Sequence, residues 1–140
     1  MSKSGPIIIV EDDRDDRDFL EKILFDLKID NERIWFKTAD VALEYLEHTP
    51  LSIFIIICDI NLPGQNGIDF KKSIDTNPYL RKKSIPFIFY STAAAQTIVN
   101  EAYSNVSVQG FFKKSSSFEE SKFMISTIFS YWKICRHPNM

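Results

Sequence analysis

The sequence predicts an α/β domain in which a five-stranded parallel sheet is covered by helices on both faces. Short apolar runs, rich in β-branched and aromatic residues, alternate along the chain with stretches of helical apolar spacing. The runs lack period-2 alternation, which is typical of strands buried on both faces of a parallel sheet. Since parallel strands are joined by right-handed helical crossovers, the pattern predicts a doubly wound (βα)5 domain.

The strands are predicted from apolar runs in chain order. They are expected at Ile7–Val10, Arg33–Phe36, Ile53–Cys58, Phe87–Tyr90 and Gly110–Phe112. A helix is expected after each strand, five in all. The first carries an apolar stripe that includes Phe19, Ile23 and Leu27, and the second carries Val41, Ala42, Tyr45 and Leu46 at the same kind of spacing.

Turn and capping residues place the remaining helices. Pro63-Gly64 and Asn66-Gly67 mark a turn after the third strand, and Asn77-Pro78 is expected to end the helix that follows. Ser117 followed by Glu120 is a capping-box pattern that opens the last helix, which is expected to run to about Trp132.

Length and composition restrict the protein class. The 140 residues are expected to form one domain over residues 1–140, with a core from about 6 to 134. A net charge of −2 gives no reason to expect nucleic-acid binding, and no apolar run is long enough to span a membrane. Cys58 and Cys135 do not form a disulfide framework, so a reducing cytoplasm is expected. His48 and His137 are expected to be solvated rather than metal ligands.

Polar residues follow four of the five predicted strands. Glu11-Asp12-Asp13 follows the first strand, Asp59 and then Asn61 the third, Ser91-Thr92 the fourth, and Lys113-Lys114 the fifth. Because parallel strands end at one edge of the sheet, where open α/β sheets bind ligands, these side chains are expected to converge.

Phosphoryl transfer is the chemistry that this set of residues favours. Carboxylates packed together resist ionising, and a hard divalent cation such as Mg²⁺ removes that conflict. The same cation neutralises phosphoryl oxygens during in-line transfer. Lys114 supplies a point charge, the Ser91 hydroxyl a hydrogen bond, and Asp59 a carboxylate nucleophile that forms an acyl phosphate.

These motifs together resemble the response-regulator receiver family. The motifs that carry the resemblance, in chain order, are Ile7 to Asp12, Cys58 through Gly64 with Gly67, Ser91-Thr92, and Gly110 through Lys114. The resemblance covers nearly the whole chain and is closest to small single-domain regulators of the type paired with bacteriophytochromes. It implies a flavodoxin-like fold with strand order 2-1-3-4-5 and a cytoplasmic protein of a bacterial two-component phosphorelay.

The resemblance also assigns roles to individual residues. Asp59 resembles the phosphoacceptor, and Glu11 and Asp12 resemble the acidic pair that holds Mg²⁺, with Asp12 as the direct ligand. Asn61 resembles the position whose backbone carbonyl binds the metal. The catalytic set is then Asp59, Ser91 and Lys114, and the metal set Glu11, Asp12, Asp59 and Asn61. Ser91 and Phe111 resemble the pair of switch residues.

One position departs from the family pattern. Proline usually follows the lysine, with a cis bond between them, and here Ser115 stands there. A cis bond before a non-proline residue costs about 2.5–4 kcal/mol, against about 0.5–1 kcal/mol before proline. The Lys114–Ser115 bond is therefore expected to be trans.

The expected partners are a sensor histidine kinase or histidine phosphotransfer protein and a downstream protein target. The chain is expected to catalyse only its own phosphorylation and dephosphorylation. A homodimer through the last strand and helix is also expected, because the apolar residues of that helix cover more than one face. The alternatives are a pseudo-receiver that binds proteins without phosphorylation, an aspartate-nucleophile phosphatase, which would need an acid at Asn61, and a flavin-binding domain.

Overall fold

The computed structural model of the chain describes residues 2–138 and shows a single five-stranded sheet. Its strands are β1 (Ile7–Val10), β2 (Arg33–Phe36), β3 (Ile55–Cys58), β4 (Phe87–Ser91) and β5 (Gly110–Lys113). All neighbouring pairs are parallel, and the order is β2-β1-β3-β4-β5. The predicted doubly wound fold and strand order are confirmed.

Six α-helices cover the two faces of the sheet in the described part of the chain, rather than the predicted five. They are α1 (Arg14–Asp26), α2 (Ala39–His48), α3 (Gly67–Thr76), α4 (Pro78–Lys83), α5 (Gln96–Asn105) and α6 (Phe118–Ile134). The additional helix is α4. Asn77-Pro78 ends α3 as predicted, but the Asn77 side chain accepts hydrogen bonds from the backbone of Tyr79 and Leu80 and Pro78 occupies the first turn, so a new helix begins at once.

Alternate residues of each central strand enter two separate cores. Ile7 and Ile9 of β1 face α1 and α6, where they pack among residues such as Leu24 and Ile125. Ile8 and Val10 face the opposite side, among residues of α2 and α3 such as Leu46 and Phe70. Because both faces are buried, the strand backbones are fixed, and the residues that follow them are held in fixed positions.

The last helix is capped as predicted and is followed by a folded tail. The Ser117 side chain accepts a hydrogen bond from the Glu120 backbone, and the helix ends at Ile134, two residues beyond the expected Trp132. The prediction that His137 is solvated is wrong. Its ring is buried, and Nε2 lies 2.7 Å from the Phe54 carbonyl oxygen. In residues 2–138 no helix is both long and apolar enough to cross a membrane.

Candidate functional site

The backbone ladder extends one residue beyond the strands and fixes the predicted site residues. The Asp59 amide donates to the Val10 carbonyl at 3.0 Å, which sets Asp59 beside the end of β1. The Lys114 amide donates to the Ser91 carbonyl at 2.9 Å and joins the ends of β4 and β5 in the same way. The expected convergence at the carboxyl edge of the sheet is confirmed for Glu11, Asp59, Ser91 and Lys114.

The Lys114 ammonium lies at the centre of this edge and contacts three carboxylates. Its Nζ is 2.9 Å from Asp59 Oδ2 and 2.9 Å from Asp16 Oδ2, and it also contacts Glu11 Oε1. The side chains of Glu11, Asp59 and Lys114 are each less than 10% exposed, whereas that of Asp16 is 44% exposed. An ammonium has three N–H donors, so Lys114 can donate to each carboxylate.

Asp59 is the carboxylate with the most contacts. The Ser91 hydroxyl donates to its Oδ1 at 2.5 Å, and the backbone N–H of Asn61 donates to the same oxygen at 3.3 Å. The Ser91 hydroxyl is itself oriented by the Ala93 amide, which donates to it at 3.1 Å. Asp59 is therefore held at both oxygens, by a hydroxyl and an amide on one and by an ammonium on the other.

The electrostatics of the site show an excess of negative charge. Burial raises the pKa of Glu11 to about 7 against the lowering effect of Lys114, and the negative charge of Asp59 adds a smaller rise. Burial alone would lower the pKa of Lys114, but hydrogen bonds to Glu11 and Asp59 outweigh it and raise that pKa above its usual range. The ammonium therefore stays charged, and one cation faces three acids.

A hard divalent cation fits this set of donors. Carboxylate oxygens of Glu11, Asp16 and Asp59 all lie within 4.8 Å of one another. Oxygen ligands of this kind suit Mg²⁺, which needs only one or two carboxylates when waters complete its shell. Glu11 and Asp59 are therefore close enough to share one cation. Asp12 is exposed and lies outside this group, and Asn61 is exposed, so their roles as ligands stay predictions.

Asp16 is the site residue that the sequence reasoning missed. The Asp13 side chain caps α1 by accepting from the Asp16 amide at 3.0 Å, which sets Asp16 in the first turn facing Lys114. The signal for Asp16 was its place one helical turn after the acidic run, in a helix that starts at the site.

Phe111, the predicted switch residue, and the Lys114–Ser115 bond also lie at or near this edge. Phe111 is half-buried and packs on Phe89 with ring centroids 5.7 Å apart, while its amide donates to the Tyr103 hydroxyl at 2.9 Å. Peptide bonds in residues 2–138 include no cis bond, which confirms the expected trans bond before Ser115.

Comparison with known proteins decides the family. Residues 7–126 match the response regulator receiver domain family. This chain belongs to that family. It is therefore a receiver domain of the two-component type, and the buried acids, hydroxyl and lysine lie within the matched residues.

Individual relatives agree with this assignment. Response regulator Rcp1 of a Synechocystis species is 27% identical over 132 residues, which cover 90% of this chain and 87% of Rcp1. A crystal structure of Rcp1 in its Mn²⁺-bound form has a TM-score of 0.81 at 26% identity, covering 95% and 98% of the two chains. The phosphorylated cyanobacterial phytochrome response regulator RcpA gives a TM-score of 0.83 at 22% identity, covering 95% and 97%.

A more distant receiver domain shares the fold. The receiver domain of the sensor histidine kinase PA1611 from Pseudomonas aeruginosa, described with a magnesium ion coordinated in its active-site cleft, has a TM-score of 0.71 at 19% identity. The alignment covers 91% of this chain and 95% of that one. At this identity the likeness shows the fold of the receiver domain.

Proposed function

We propose that this receiver domain accepts a phosphoryl group on Asp59 from a histidine kinase or a histidine phosphotransfer protein, in a reaction that requires Mg²⁺. The observation that carries the proposal is the environment of Asp59. One of its oxygens accepts from Ser91 and the other from Lys114. Whichever oxygen bonds to phosphorus, a hydrogen-bond donor lies beside it. This is the arrangement that stabilises a negative charge developing at one place.

The reaction transfers a phosphoryl group from nitrogen to oxygen. An Asp59 carboxylate oxygen attacks the phosphorus of a phosphohistidine, the N–P bond breaks, and the departing imidazole nitrogen keeps the electron pair and takes up a proton. The product is an acyl phosphate on Asp59. Lys114 and the Ser91 hydroxyl then hydrogen-bond phosphoryl oxygens in place of the carboxylate oxygens that they contact now.

A bound Mg²⁺ would supply charge neutralisation for the phosphoryl oxygens. Glu11 and Asp59 would hold it, with Asp12 and the Asn61 carbonyl as the further ligands that the family resemblance implies. The Mn²⁺ in Rcp1 and the magnesium ion in the PA1611 receiver domain support a divalent cation at this edge. The excess of acid over base around Lys114 supports it independently.

The signal is read by another protein. We place the domain in the bacterial cytoplasm, with a downstream protein target and with no substrate other than its own phosphoryl group. Ser91 lies between Asp59 and the backbone of Ala93, and Phe111 lies on the neighbouring strand against Phe89. Movement of Ser91 toward the phosphoryl group, with Phe111 turning inward, transmits the change to the surface of β5.

A homodimer through β5 and α6 is part of this proposal. Three apolar side chains on α6 remain exposed, Phe123, Tyr131 and Ile134. Tyr131 also borders a groove of about 220 Å³ against Phe112 on the edge strand β5. In the described residues after α6, the His137 ring packs on the buried side of the helix, 6.0 Å from the ring of Trp132. A second copy of the chain would cover the rest through a two-fold contact.

The dimer is tested by sedimentation velocity with and without a phosphoryl mimic. Because Phe129 and Trp132 are buried, charges there would unfold the domain, and exposed positions are the correct probes. Tyr131→Asp and Ile134→Asp should convert a dimer to a monomer while circular dichroism stays unchanged. A wild-type monomer in both states rules the dimer out.

Intact-mass analysis tests the phosphorylation itself. Wild-type protein with Mg²⁺ and a small-molecule phosphodonor such as acetyl phosphate should gain one phosphoryl group that survives acid and is lost in base. Asp59→Asn should gain none, and wild type with EDTA should gain almost none. Exposed Asp69→Asn is the matched control and should behave as wild type. A wild-type protein that takes up no phosphoryl group is a pseudo-receiver, and the proposal fails.

A further inference from the structure

We infer that Asp16 is a positioning residue that keeps the Lys114 ammonium in the site when a divalent cation takes over Glu11 and Asp59. The inference rests on the proposed function and concerns the regulation of the same site. It starts from the observation that Lys114 is shared among three carboxylates, of which one differs from the other two.

The Lys114 ammonium and a divalent metal ion would compete for the two buried carboxylates. Glu11 and Asp59 are less than 10% exposed, and they are the acids that a metal ion would bind first. A divalent cation there repels the ammonium, because the two positive charges would lie within a few ångströms of each other. Metal binding therefore weakens two of the three contacts that hold Lys114.

A metal ion held by Glu11 and Asp59 would leave the Asp16 carboxylate to Lys114, because Mg²⁺ needs only one or two carboxylates. Asp16 belongs to α1 rather than to a strand end, its side chain is 44% exposed, and its Oδ2 lies 2.9 Å from Lys114 Nζ. Its backbone is fixed by the Asp13 cap. When Lys114 gives up Glu11 and Asp59, the contact with Asp16 remains, and the other N–H donors become free to meet a phosphoryl oxygen.

A direct consequence is a weaker metal site in Asp16→Asn. Without Asp16, Lys114 in the metal-free protein relies on Glu11 and Asp59 alone, and in the metal-bound protein it has no carboxylate left. Mg²⁺ affinity, measured by calorimetry on the full chain, should fall about threefold to tenfold, the range expected for directly coupled charges. Asp15→Asn removes the same charge from the same helical turn at an exposed position and should change affinity by less than about twofold. Asp16→Glu should restore part of the loss.

The decisive test is a double-mutant cycle with Lys114→Met. If Asp16 acts through Lys114, Asp16→Asn in the Lys114→Met background should weaken Mg²⁺ binding no more than Asp15→Asn does. An equal loss with and without Lys114 would make Asp16 a direct ligand and overturn the inference, as would an Asp16→Asn protein with wild-type affinity.

Phosphorylation gives a separate readout. Asp16→Asn should still be phosphorylated on Asp59, with a rate at saturating Mg²⁺ several times below that of wild type and Asp15→Asn, because Lys114 is less often in place. A rate equal to that of wild type counts against positioning. If the wild type itself takes up no phosphoryl group while the cycle still shows coupling in Mg²⁺ binding, the proposed function fails and the role of Asp16 stands.

Discussion

The two edges of the sheet both bury charged and polar groups, but they balance them differently. At the amino edge, Lys71 forms an ion pair with Asp75 at 2.8 Å, and the second Asp75 oxygen accepts from the Ser107 amide. At the carboxyl edge, the Lys114 ammonium alone faces three carboxylates. The charges at the amino edge are paired one to one, whereas the carboxyl edge has more carboxylates than cations and can bind a further cation.

This contrast separates structural polar groups from functional ones. A buried ion pair with matched partners keeps a fixed geometry, and nothing is gained by adding a ligand. A site with unbalanced charge changes its stability and its geometry when a cation or a phosphoryl group arrives. Burial alone therefore does not mark a functional residue in this domain, since Lys71 is as buried as Lys114. A functional residue is marked instead by the number of opposite charges around it.

The largest expected effect comes from Gly67, where the carboxyl edge depends on close backbone packing. A Cβ added at Gly67 would lie 2.2 Å from the Asp59 carbonyl oxygen and 3.0 Å from Ile60 Cα. Gly67→Ala should lower the free energy of unfolding by about 3 kcal/mol, since backbone atoms cannot give way easily. Urea denaturation measures this, and Mg²⁺ affinity should fall with it because Asp59 is displaced.

Gly64 is the control for that substitution. It lies in the same loop with φ +76°, and an added Cβ meets no atom within 4 Å. Gly64→Asn should cost less than about 1 kcal/mol, because asparagine tolerates the left-handed region. If both variants are equally stable, the close approach at Gly67 is not what holds the loop that follows Asp59.

The next effect compares the two buried lysines directly. Lys71→Met should lower the free energy of unfolding by about 2 kcal/mol with or without Mg²⁺, because it leaves Asp75 without its cation. Lys114→Met should be destabilised in EDTA and then gain more from Mg²⁺ than wild type does, since the ammonium no longer competes. A saturating ligand at a hundredfold excess over Kd adds about 2.7 kcal/mol. Thermal denaturation with and without Mg²⁺ distinguishes the two variants. A Lys71→Met protein that gains as much stability from Mg²⁺ as Lys114→Met does would show that the two lysines do not differ in this way.

A smaller effect concerns His137 at the amino edge. His137→Ala removes the contact with the Phe54 carbonyl and the packing on the Trp132 ring, and it should cost about 1.5 kcal/mol. His48→Ala, on the exposed face of α2, should cost less than about 0.5 kcal/mol. Mg²⁺ affinity should stay at the wild-type value in both. A loss of Mg²⁺ binding in His137→Ala would show that the two edges are coupled.

Replacement of Ser91 is expected to have the smallest effect on stability but a clear effect on the conformational response. Ser91→Ala should cost about 1 kcal/mol and still be phosphorylated. Moving an equilibrium from 1:99 to 99:1 needs about 5.5 kcal/mol, and one charge-assisted hydrogen bond supplies only about 1.5–3 kcal/mol. Ser91→Ala should therefore respond partially by NMR and Lys114→Ala not at all. A full response in Ser91→Ala contradicts this division.

Local patterns predicted most of the sheet and the core of the site. The strands came from apolar runs, and parallel topology then brought Asp59, Ser91 and Lys114 to one edge. Chain-distant contacts were not predictable in this way. His137 contacts the Phe54 carbonyl, 83 residues away in the chain, and no sequence pattern in the tail predicts that contact. Asp16 depends on the direction in which α1 leaves β1, and Asn77 carries a signal that both ends one helix and begins the next.

If the carboxyl edge places a phosphoryl group on one carboxylate, reductive trapping will show which one. Borohydride reduces an aspartyl phosphate to homoserine, which tandem mass spectrometry of the digested protein can locate. After reaction with Mg²⁺ and acetyl phosphate, homoserine should be found at position 59 and at no other aspartate, and omission of Mg²⁺ should abolish it. Homoserine at position 12 or 16, or equal trapping at position 59 in EDTA, would show that Asp59 is not the Mg²⁺-dependent phosphoacceptor.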